Sequence, residues 1–598
     1  MKDYFNIING QFLDKLKIKD DEVGAGIKEY LLLKDRKDVE NIITKKKYEK
    51  LNENEMIILK KMYISIIKYD DDENTQFMTK KINEILKVSN EELLAFFIKN
   101  KFSGLICIET FYFNNSMYFG MSQAKNNISN SNFYKDPRFL KIYFDIIKSI
   151  MNLYITVDDK IIQKIIDYEL KLYEFKMTND EKRNIKETVN IHKISNIKFA
   201  NIDFQKLIKL LLNGVVYSRD DIIIDEKEPF KYYSRIDEYF KDPDFRYYII
   251  WCMLNEFSTY TFGKANDYKF RLLMITRGIK KKNEFNKKKI DIMNLLLGHL
   301  ISKEYYSLID PEIKPRMYKL IDYLKRSFRQ RLQNNKWMDP ETKKMAIEKL
   351  DRISVDIGEG KLIDFNSMKE LSLIYIENFI IINDFLFNQS IKSIEKMDKI
   401  FIGNIYEINA YYNPTKNQMT FPFGILRKPY FYNKNWDNLN AVAYNFGAIG
   451  SVIAHEITHG FDDQGKDFDK DGNLRNWWKK ESEDKYNEIS KKIGSLYSYH
   501  GVNANLTMGE NIADLGGVRI SLTSLKLYLK DINKDLTEEL LDMFKKGWAM
   551  IWRQKKTKEE AQNRLSSDPH SPPELRVNIP LNNLEEFNKD NKDIIELW

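Results

Sequence analysis

Two histidines four residues apart flank a glutamate in the segment His455-Glu456-Ile457-Thr458-His459. On an α-helix, residues i and i+4 lie on one face, so both imidazoles can bind the same Zn²⁺ ion. Glu456 would border that ion without binding it, and it could take a proton from a zinc-bound water molecule. The alternative is a buried helix with two hydrogen-bonded histidines and no metal.

A third zinc ligand has to come from another part of the chain. The extended pattern HExxHxxGxxH is excluded, because its glycine position is Asp462 and its third histidine position is Gly465. Glu510 is the best candidate, since it stands four residues before Asp514 on a predicted helix. Gly517 would let that helix pack close to the histidine helix. The competing interpretation of Glu510 and Asp514 is a solvated helix face.

Several ordered segments resemble the neprilysin family of zinc endopeptidases. The similar segments are 409–412, 421–426, 452–463, 509–514 and 568–576. The match is continuous from about residue 400 to 598 and sparse between about 30 and 390. We therefore expect a zinc endopeptidase of this family. Animal members are rich in cysteine, and this chain has only two, so it resembles the bacterial members instead.

The resemblance implies a role for each matching residue. One zinc ion per chain would be held by His455, His459 and Glu510, and Glu456 would activate the water. Asp462 and Asp514 would orient the ligating histidines by accepting hydrogen bonds from them.

The resemblance also assigns residues that would handle the substrate. His570 would stabilise the oxyanion of the tetrahedral intermediate, and Arg576 would bind a substrate carbonyl. Asn409 and Ala410 would pair with the substrate backbone. Val452 and Phe461 would lie near the pocket for a large apolar side chain, on whose amino side the family cleaves.

Two other functions stay open at this point. A zinc- and peptide-binding protein without catalytic activity would lack Glu456 or His570, and both residues are present. A helical interaction protein with an accidental HExxH sequence would bind no zinc. It would also leave the ordered later segments unexplained.

The elements that must position these residues are mostly helices. Apolar residues at three-and-four spacing predict helices in 55–69, 80–86, 91–98, 160–176 and 295–308. Strand signals are few between 30 and 390. Residues 411–421 read as a hairpin, whose edge could bind an extended peptide.

The resemblance implies a mainly α fold with a small β element. It would have two lobes, a thermolysin-like catalytic lobe and a helical cap lobe, which together enclose a cavity. We expect the cap lobe in residues 30–390 and the zinc-containing lobe in residues 391–598. Residues 1–29 should pack with the catalytic lobe.

Bulk properties exclude several other classes. The chain has 598 residues and a net charge of only +8, and nothing in it matches a nucleic-acid-binding module. Its two cysteines, Cys107 and Cys252, stand in apolar surroundings and predict buried thiols rather than a disulfide framework. We expect no signal peptide, because the first residues lack an apolar segment, and no spanning helix, because no apolar run of about 18 residues occurs. We expect a monomeric cytoplasmic peptidase that acts on oligopeptides and neither spans a membrane nor binds nucleic acid.

Overall fold

The structure is a computed structural model. It describes residues 1–128, 130–228, 230–396, 400–401, 403–434, 436–588 and 594–598. Helices dominate the described residues, which confirms the prediction of a mainly α fold with a small β element. None of the described helices combines the length and the apolar composition needed to cross a membrane.

The first part of the chain, up to residue 225, combines helices with a small sheet. Its elements are α1 (Tyr4–Lys15), β1 (Gly24–Gly26), α2 (Ile27–Ile43), α3 (Glu53–Ile67), α4 (Asp71–Ile85), α5 (Asn90–Lys99), β2 (Ile106–Phe113), β3 (Ser116–Gln123), α6 (Pro137–Met151), α7 (Asp159–Glu174), α8 (Ile185–Thr188), β4 (Val189–Lys193), α9 (Phe204–Leu212) and β5 (Asp221–Asp225).

The middle of the chain is almost entirely helical. Its elements are α10 (Lys231–Tyr239), α11 (Phe245–Tyr260), α12 (Lys264–Arg277), α13 (Phe285–Tyr305), α14 (Ile313–Asn334), α15 (Pro340–Arg352), β6 (Ser354–Asp356) and α16 (Tyr375–Lys396). The last third contains β7 (Tyr411–Asn413), β8 (Gln418–Thr420), α17 (Leu439–Asn445), α18 (Ser451–His459), α19 (Lys480–Ser498), α20 (Ala504–Asp531), α21 (Glu538–Ile551), β9 (Gln554–Lys556), α22 (Lys558–Ser567) and α23 (Pro573–Asn582).

The predicted helices are confirmed, and side-chain caps explain where several of them begin. Asn52 accepts a hydrogen bond from the Glu55 amide while the Glu55 carboxylate accepts one from the Asn52 amide. Ser89 and Glu92 form the same reciprocal pair at the start of α5. Such capping boxes satisfy two amides that lack partners at a helix N-terminus.

A four-stranded sheet in the N-terminal half was not expected from the scarcity of strand signals. Its strand order is β2-β3-β5-β4, with β2 antiparallel to β3 and β3 parallel to β5. Asn114 and Asn115, both with positive φ, form the two-residue turn between β2 and β3. This turn, together with the aromatic and β-branched content of β2, is the local signal that could have revealed the hairpin.

Two smaller sheets involve strands from the last third of the chain. The predicted hairpin is confirmed, because β7 pairs antiparallel with β8, and β6 joins β8 on its other side. In this sheet β7 is an edge strand. In the other, β1 pairs antiparallel with β9, so residues near the two ends of the chain lie side by side.

The two cysteines are not bonded to each other. Both are free thiols, Cys252 fully buried and Cys107 half-buried. Cys107 is therefore less enclosed than predicted, since it lies on β2, where successive side chains point to opposite faces of the sheet.

Candidate metal centre and active site

The helix that carries both histidines, α18, is the last part of a nearly continuous helical stretch that starts with α17. Asn438 caps the start of α17, and its side chain accepts hydrogen bonds from two amides of the first turn. A π-helical turn over Phe446–Gly450 leads into α18. Helix α18 ends at His459, with Gly460 as the capping residue. His455 and His459 consequently lie on one face of α18, four residues apart.

Helix α20 crosses α18 at very short range. A Cβ atom on Gly517 would lie 2.8 Å from the Ser451 carbonyl oxygen and 2.9 Å from the His455 amide nitrogen. The prediction that Gly517 permits close packing of these helices is therefore confirmed. The approach brings Glu510 and Asp514, on successive turns of α20, next to the two histidines.

The side chains of His455, His459 and Glu510 converge on one point. Their potential ligand atoms all lie within 4.8 Å of one another. The two Nε2 atoms are 2.9 Å apart, and a Glu510 carboxylate oxygen lies 3.2 Å from Nε2 of His455. Two imidazole nitrogens and one carboxylate oxygen are the ligand types of a catalytic zinc site with an open fourth position.

Carboxylates hold the other nitrogen of each imidazole. Nδ1 of His455 lies 2.9 Å from Asp514 Oδ1, and Nδ1 of His459 lies 2.7 Å from Asp462 Oδ2. Burial lowers the pKa of His455, but Asp514 and Glu510 outweigh it and raise the value to about 10. The site thus favours positive charge. A metal ion bound at the two Nε2 atoms would supply that charge. These residues fit a zinc ion.

Glu456 lies in the wall of a large cavity beside the metal ligands. The cavity has a volume of about 1180 Å³, and its lining includes His455, His459 and Glu510. Burial raises the pKa of Glu456, although the nearby histidines lower it. A carboxylate with a raised pKa is a stronger base, as proton transfer near neutral pH requires.

His570 also lines this cavity, on the loop between α22 and α23. Its Nδ1 lies 2.7 Å from Asp568 Oδ1, and its Nε2 lies 3.2 Å from Glu510 Oε2. Burial raises the pKa of Asp568, but His570 outweighs this and brings the value to about 2. The ionised Asp568 holds the imidazole so that Nε2 faces the metal ligands.

Arg576 is buried at the base of the cavity and pairs with Asp514. Its Nε and Nη2 atoms donate to the two Asp514 oxygens at 2.7 and 2.8 Å. The indole ring of Trp552 lies 3.8 Å from the guanidinium carbon. The guanidinium is thereby fixed in place while Arg576 remains part of the cavity wall.

Three of the four other predicted substrate contacts reach the cavity. Asn409 and Ala410, immediately before the edge strand β7, line it, and so does Val452 on α18. Phe461 does not and is a correction. Its ring is fully buried and packs 5.1 Å from Phe328 and 5.8 Å from Trp598. Phe461 follows the last turn of α18 and faces the core rather than the site.

Two residues next to the site had no role in the sequence prediction. Asp568 holds His570, and its position two residues earlier is a signal that could have revealed it. Arg183 contacts Asp463, the residue after Asp462, from 280 positions away in the sequence. No local pattern marks such a contact.

A two-lobed helical fold, an HExxH helix and a glutamate on a second helix define the class of neprilysin-like zinc metallopeptidases. The sequence profile of peptidase family M13 matches residues 1–359 and 409–592. The chain belongs to this family, and the family prediction is confirmed.

The known relatives and structures agree with this assignment. Neprilysin-1 of Caenorhabditis elegans is 30% identical over 474 residues, which cover 71% of this chain and 60% of the relative. The chain therefore spans about three fifths of that relative's length. The crystal structure of Mycobacterium tuberculosis zinc metalloprotease Zmp1 in complex with an inhibitor has the same fold, with a TM-score of 0.87. It is 23% identical, covering 98% of this chain and 94% of that one. PepO from Lactobacillus rhamnosis gives a TM-score of 0.81 at 18% identity, covering 98% and 95%.

Proposed function

We propose that this protein is a zinc-dependent endopeptidase that hydrolyses oligopeptides. The observation that carries the proposal is the convergence of His455, His459 and Glu510 in the wall of a cavity that also contains Glu456. A base beside a three-ligand zinc site is the arrangement that peptide hydrolysis requires. Membership of peptidase family M13 supports the same activity.

Zinc, when bound by these three side chains, would polarise a peptide carbonyl and make a water molecule more acidic. Glu456 would accept the proton of the attacking water and pass it to the leaving amine. Its buried position favours that role, since burial raises its pKa.

His570 would stabilise the negative charge that develops on the substrate carbonyl oxygen. Asp568 fixes the ring at Nδ1, 2.7 Å away, and this orients Nε2 toward the place where that oxygen would form. The donor is positioned before the reaction begins, so little reorganisation is needed in the transition state.

The substrate would lie extended along β7. An edge strand can pair with the backbone of a peptide whatever the peptide's sequence. Asn409 and Ala410 immediately precede this strand and line the cavity. Arg576 would bind a substrate carbonyl near the cleaved bond. Val452 would contact the large apolar residue on whose amino side cleavage occurs.

The cavity supports a limit on substrate size. Its volume of about 1180 Å³ is slightly above the roughly 300–1,000 Å³ typical of small-ligand sites. A short peptide fits such a space, and a folded domain does not. We therefore propose oligopeptides rather than proteins as substrates.

The test measures zinc content and cleavage of a fluorogenic oligopeptide by the wild-type protein, Glu456→Gln and Glu488→Gln. Glu488 is an exposed helical glutamate on α19, and its substitution is the matched control. We expect one zinc per chain in all three and loss of at least about 10²-fold in kcat only in Glu456→Gln. Zinc without cleavage in the wild type would indicate a peptide-binding protein instead. Absence of zinc would overturn the proposal.

A further inference from the structure

A salt bridge joins the N-terminal half of the chain to the turn that follows the metal-binding helix. Nη2 of Arg183 donates to both carboxylate oxygens of Asp463, each at 3.1 Å. Nη1 of the same guanidinium donates to the backbone carbonyl of Leu506. One side chain from a distant part of the sequence thus binds two separate segments of the active-site region.

Both segments that Arg183 binds lead directly to the metal ligands. Asp463 follows Asp462, which accepts the hydrogen bond from Nδ1 of His459. Leu506 lies on α20, four residues and about one turn before Glu510. The guanidinium therefore connects the segment that orients one ligand with the helix that carries another.

The backbone at Gly509 packs tightly against this contact. A Cβ atom on Gly509 would lie 2.8 Å from an oxygen of Asp462, 2.8 Å from an oxygen of Asp463 and 2.9 Å from Nη2 of Arg183. All three groups converge on the residue immediately before Glu510. These distances are independent of the hydrogen bonds. They show that the backbone beside the third ligand lies against the salt bridge between Arg183 and Asp463.

We propose that Arg183 is a positioning residue of the active site, which fixes the segment that orients His459 relative to the helix that carries Glu510. The inference rests on the proposed function. It adds a residue from the N-terminal half of the chain to the structure that supports the metal ligands. The metal-binding geometry then depends on contact between the two halves.

The burial and the geometry of the contact support the same arrangement. Arg183 and Asp463 are both largely shielded from solvent, with 17% and 26% of their side chains exposed. Burial and the charge of Asp462 raise the pKa of Asp463 to about 7, and Arg183 acts in the opposite direction. The planar guanidinium contacts a carboxylate and a carbonyl at once, which the single ammonium group of a lysine cannot reproduce in the same geometry.

A neighbouring ion pair between the same two parts of the chain provides a matched control. Nζ of Lys186 lies 2.7 Å from Asp467 Oδ1, three residues from Arg183 and four from Asp463. This ion pair also joins the N-terminal half to the catalytic region. Within the described residues, its two side chains form no hydrogen bond or ion pair with Asp462 or α20, so Lys186→Gln removes an ion pair without removing the proposed positioning contact.

The experiment compares Arg183→Gln, Arg183→Lys and Lys186→Gln in the full chain. It measures the visible spectrum of the cobalt-substituted proteins, zinc loss to a chelator, and kcat and KM for an oligopeptide. For Arg183→Gln we expect an altered cobalt spectrum, zinc affinity weakened about 10–100-fold and a lower kcat at similar KM. Arg183→Lys should restore these properties only in part, and Lys186→Gln should leave them unchanged.

A wild-type cobalt spectrum and zinc affinity in Arg183→Gln would overturn the inference, as would equal effects of Lys186→Gln. Far-UV circular dichroism confirms that each variant is folded. If the wild-type protein cleaves no peptide, the proposed function fails. The spectrum and the zinc loss still decide whether Arg183 positions the ligands.

Discussion

Asp514 connects the candidate metal ligands and the proposed substrate-binding residues through a single carboxylate. Its Oδ1 atom faces Nδ1 of His455 at 2.9 Å and accepts a hydrogen bond from Nη2 of Arg576 at 2.8 Å. Burial raises the pKa of Asp514, but Arg576 and His455 lower it by a larger amount, so the carboxylate is ionised. The orientation of a zinc ligand and of a proposed substrate contact therefore depends on the same side chain.

A partly buried histidine outside the site gives the protein a sensitivity to mild acid. His299 lies on α13, where its Nδ1 accepts a hydrogen bond from the Ile363 amide. Burial lowers its pKa from 6.5 to about 4. Between these two pH values the unfolded chain binds a proton at His299 that the folded chain does not. The free energy of unfolding therefore falls as the pH is lowered from 6.5 toward 4.

Replacement of His299 by Gln should reduce this sensitivity. At pH 5 the variant should retain about 2 kcal/mol of stability that the wild type loses relative to pH 7. Urea unfolding at both pH values, with zinc present, measures the difference. His500→Gln alters an exposed histidine and is the control. Equal losses of unfolding free energy in the wild type and His299→Gln would show that His299 is protonated equally in the folded and unfolded states.

Sequence spacing could predict the parts of the site that lie within one helix. His455, Glu456 and His459 follow from the period of α18, and Glu510 and Asp514 from that of α20. The contact between these helices followed only from the family resemblance and the glycine pattern. Arg183 and the inward position of Phe461 depend on tertiary packing, which no local spacing encodes.

At the scale of elements, the crossing of α18 and α20 sets the geometry of the metal ligands. Two adjacent glycines lie at the contact. A Cβ on Gly516 would lie 2.7 Å from Thr458 Cγ2, and one on Gly517 would lie 2.8 Å from the Ser451 carbonyl oxygen. The absence of side chains here lets two backbones approach until Glu510 and the histidines share one point.

Replacement of Gly517 by Ala should push the two helices apart. The added methyl group would clash with the backbone of α18, and such overpacking costs about 1–3 kcal/mol. Because both helices carry ligands, zinc affinity should fall as well. Thermal unfolding and zinc titration measure the two effects.

Gly10→Ala provides the control for this substitution. Gly10 lies within α1 and has nothing within 4 Å of its hypothetical Cβ. Alanine there should leave stability unchanged or raise it by up to about 1 kcal/mol, since alanine favours helices. Wild-type zinc affinity in Gly517→Ala would contradict the view that the helix separation sets the ligand geometry.

Elements with strong local signals were predictable, and those stabilised by distant partners were not. The 3.6-residue period identified α3, α5 and α7, because one face of each packs on the core. The sheet β2-β3-β5-β4 combines strands from positions 106 to 225 in a mixed order. The inner strand β5 pairs with β3, where Ile222 lies opposite Phe119, and a partner this distant in the sequence leaves no local pattern.

At the scale of the molecule, the two ends of the chain lie together. The Phe5 amide donates to Asn578 Oδ1 at 2.8 Å, and the buried Asn9 side chain donates to the Ala549 carbonyl at 2.8 Å. Arg553 in turn donates to Asn9 Oδ1 at 2.7 Å. These contacts place α1 against α21 and α23, beside the candidate active site.

Helix α14 lies in the range predicted for the cap lobe. It also packs against residues of the predicted zinc-containing lobe. Ser327 Oγ donates to the Ile520 carbonyl at 3.3 Å, and Phe328 packs edge-on against Phe461. Arg331 donates through Nε to the Trp598 carbonyl at 3.0 Å. The predicted division at residue 391 falls within α16 and stays a prediction.

A fragment of residues 391–598 tests that division directly. It would lack Phe328 and Ser327, which pack on Phe461 and α20, as well as the α1 residues that bond to Asn578 and Ala549. The large apolar surface exposed by these losses should prevent cooperative folding, since each buried aromatic contributes several kcal/mol. We therefore expect the isolated fragment to show no cooperative thermal transition and no stoichiometric zinc. Co-expression with residues 1–390 should recover both properties if the two pieces assemble. A fragment that folds alone and binds one zinc would show instead that residues 391–598 form an independent lobe.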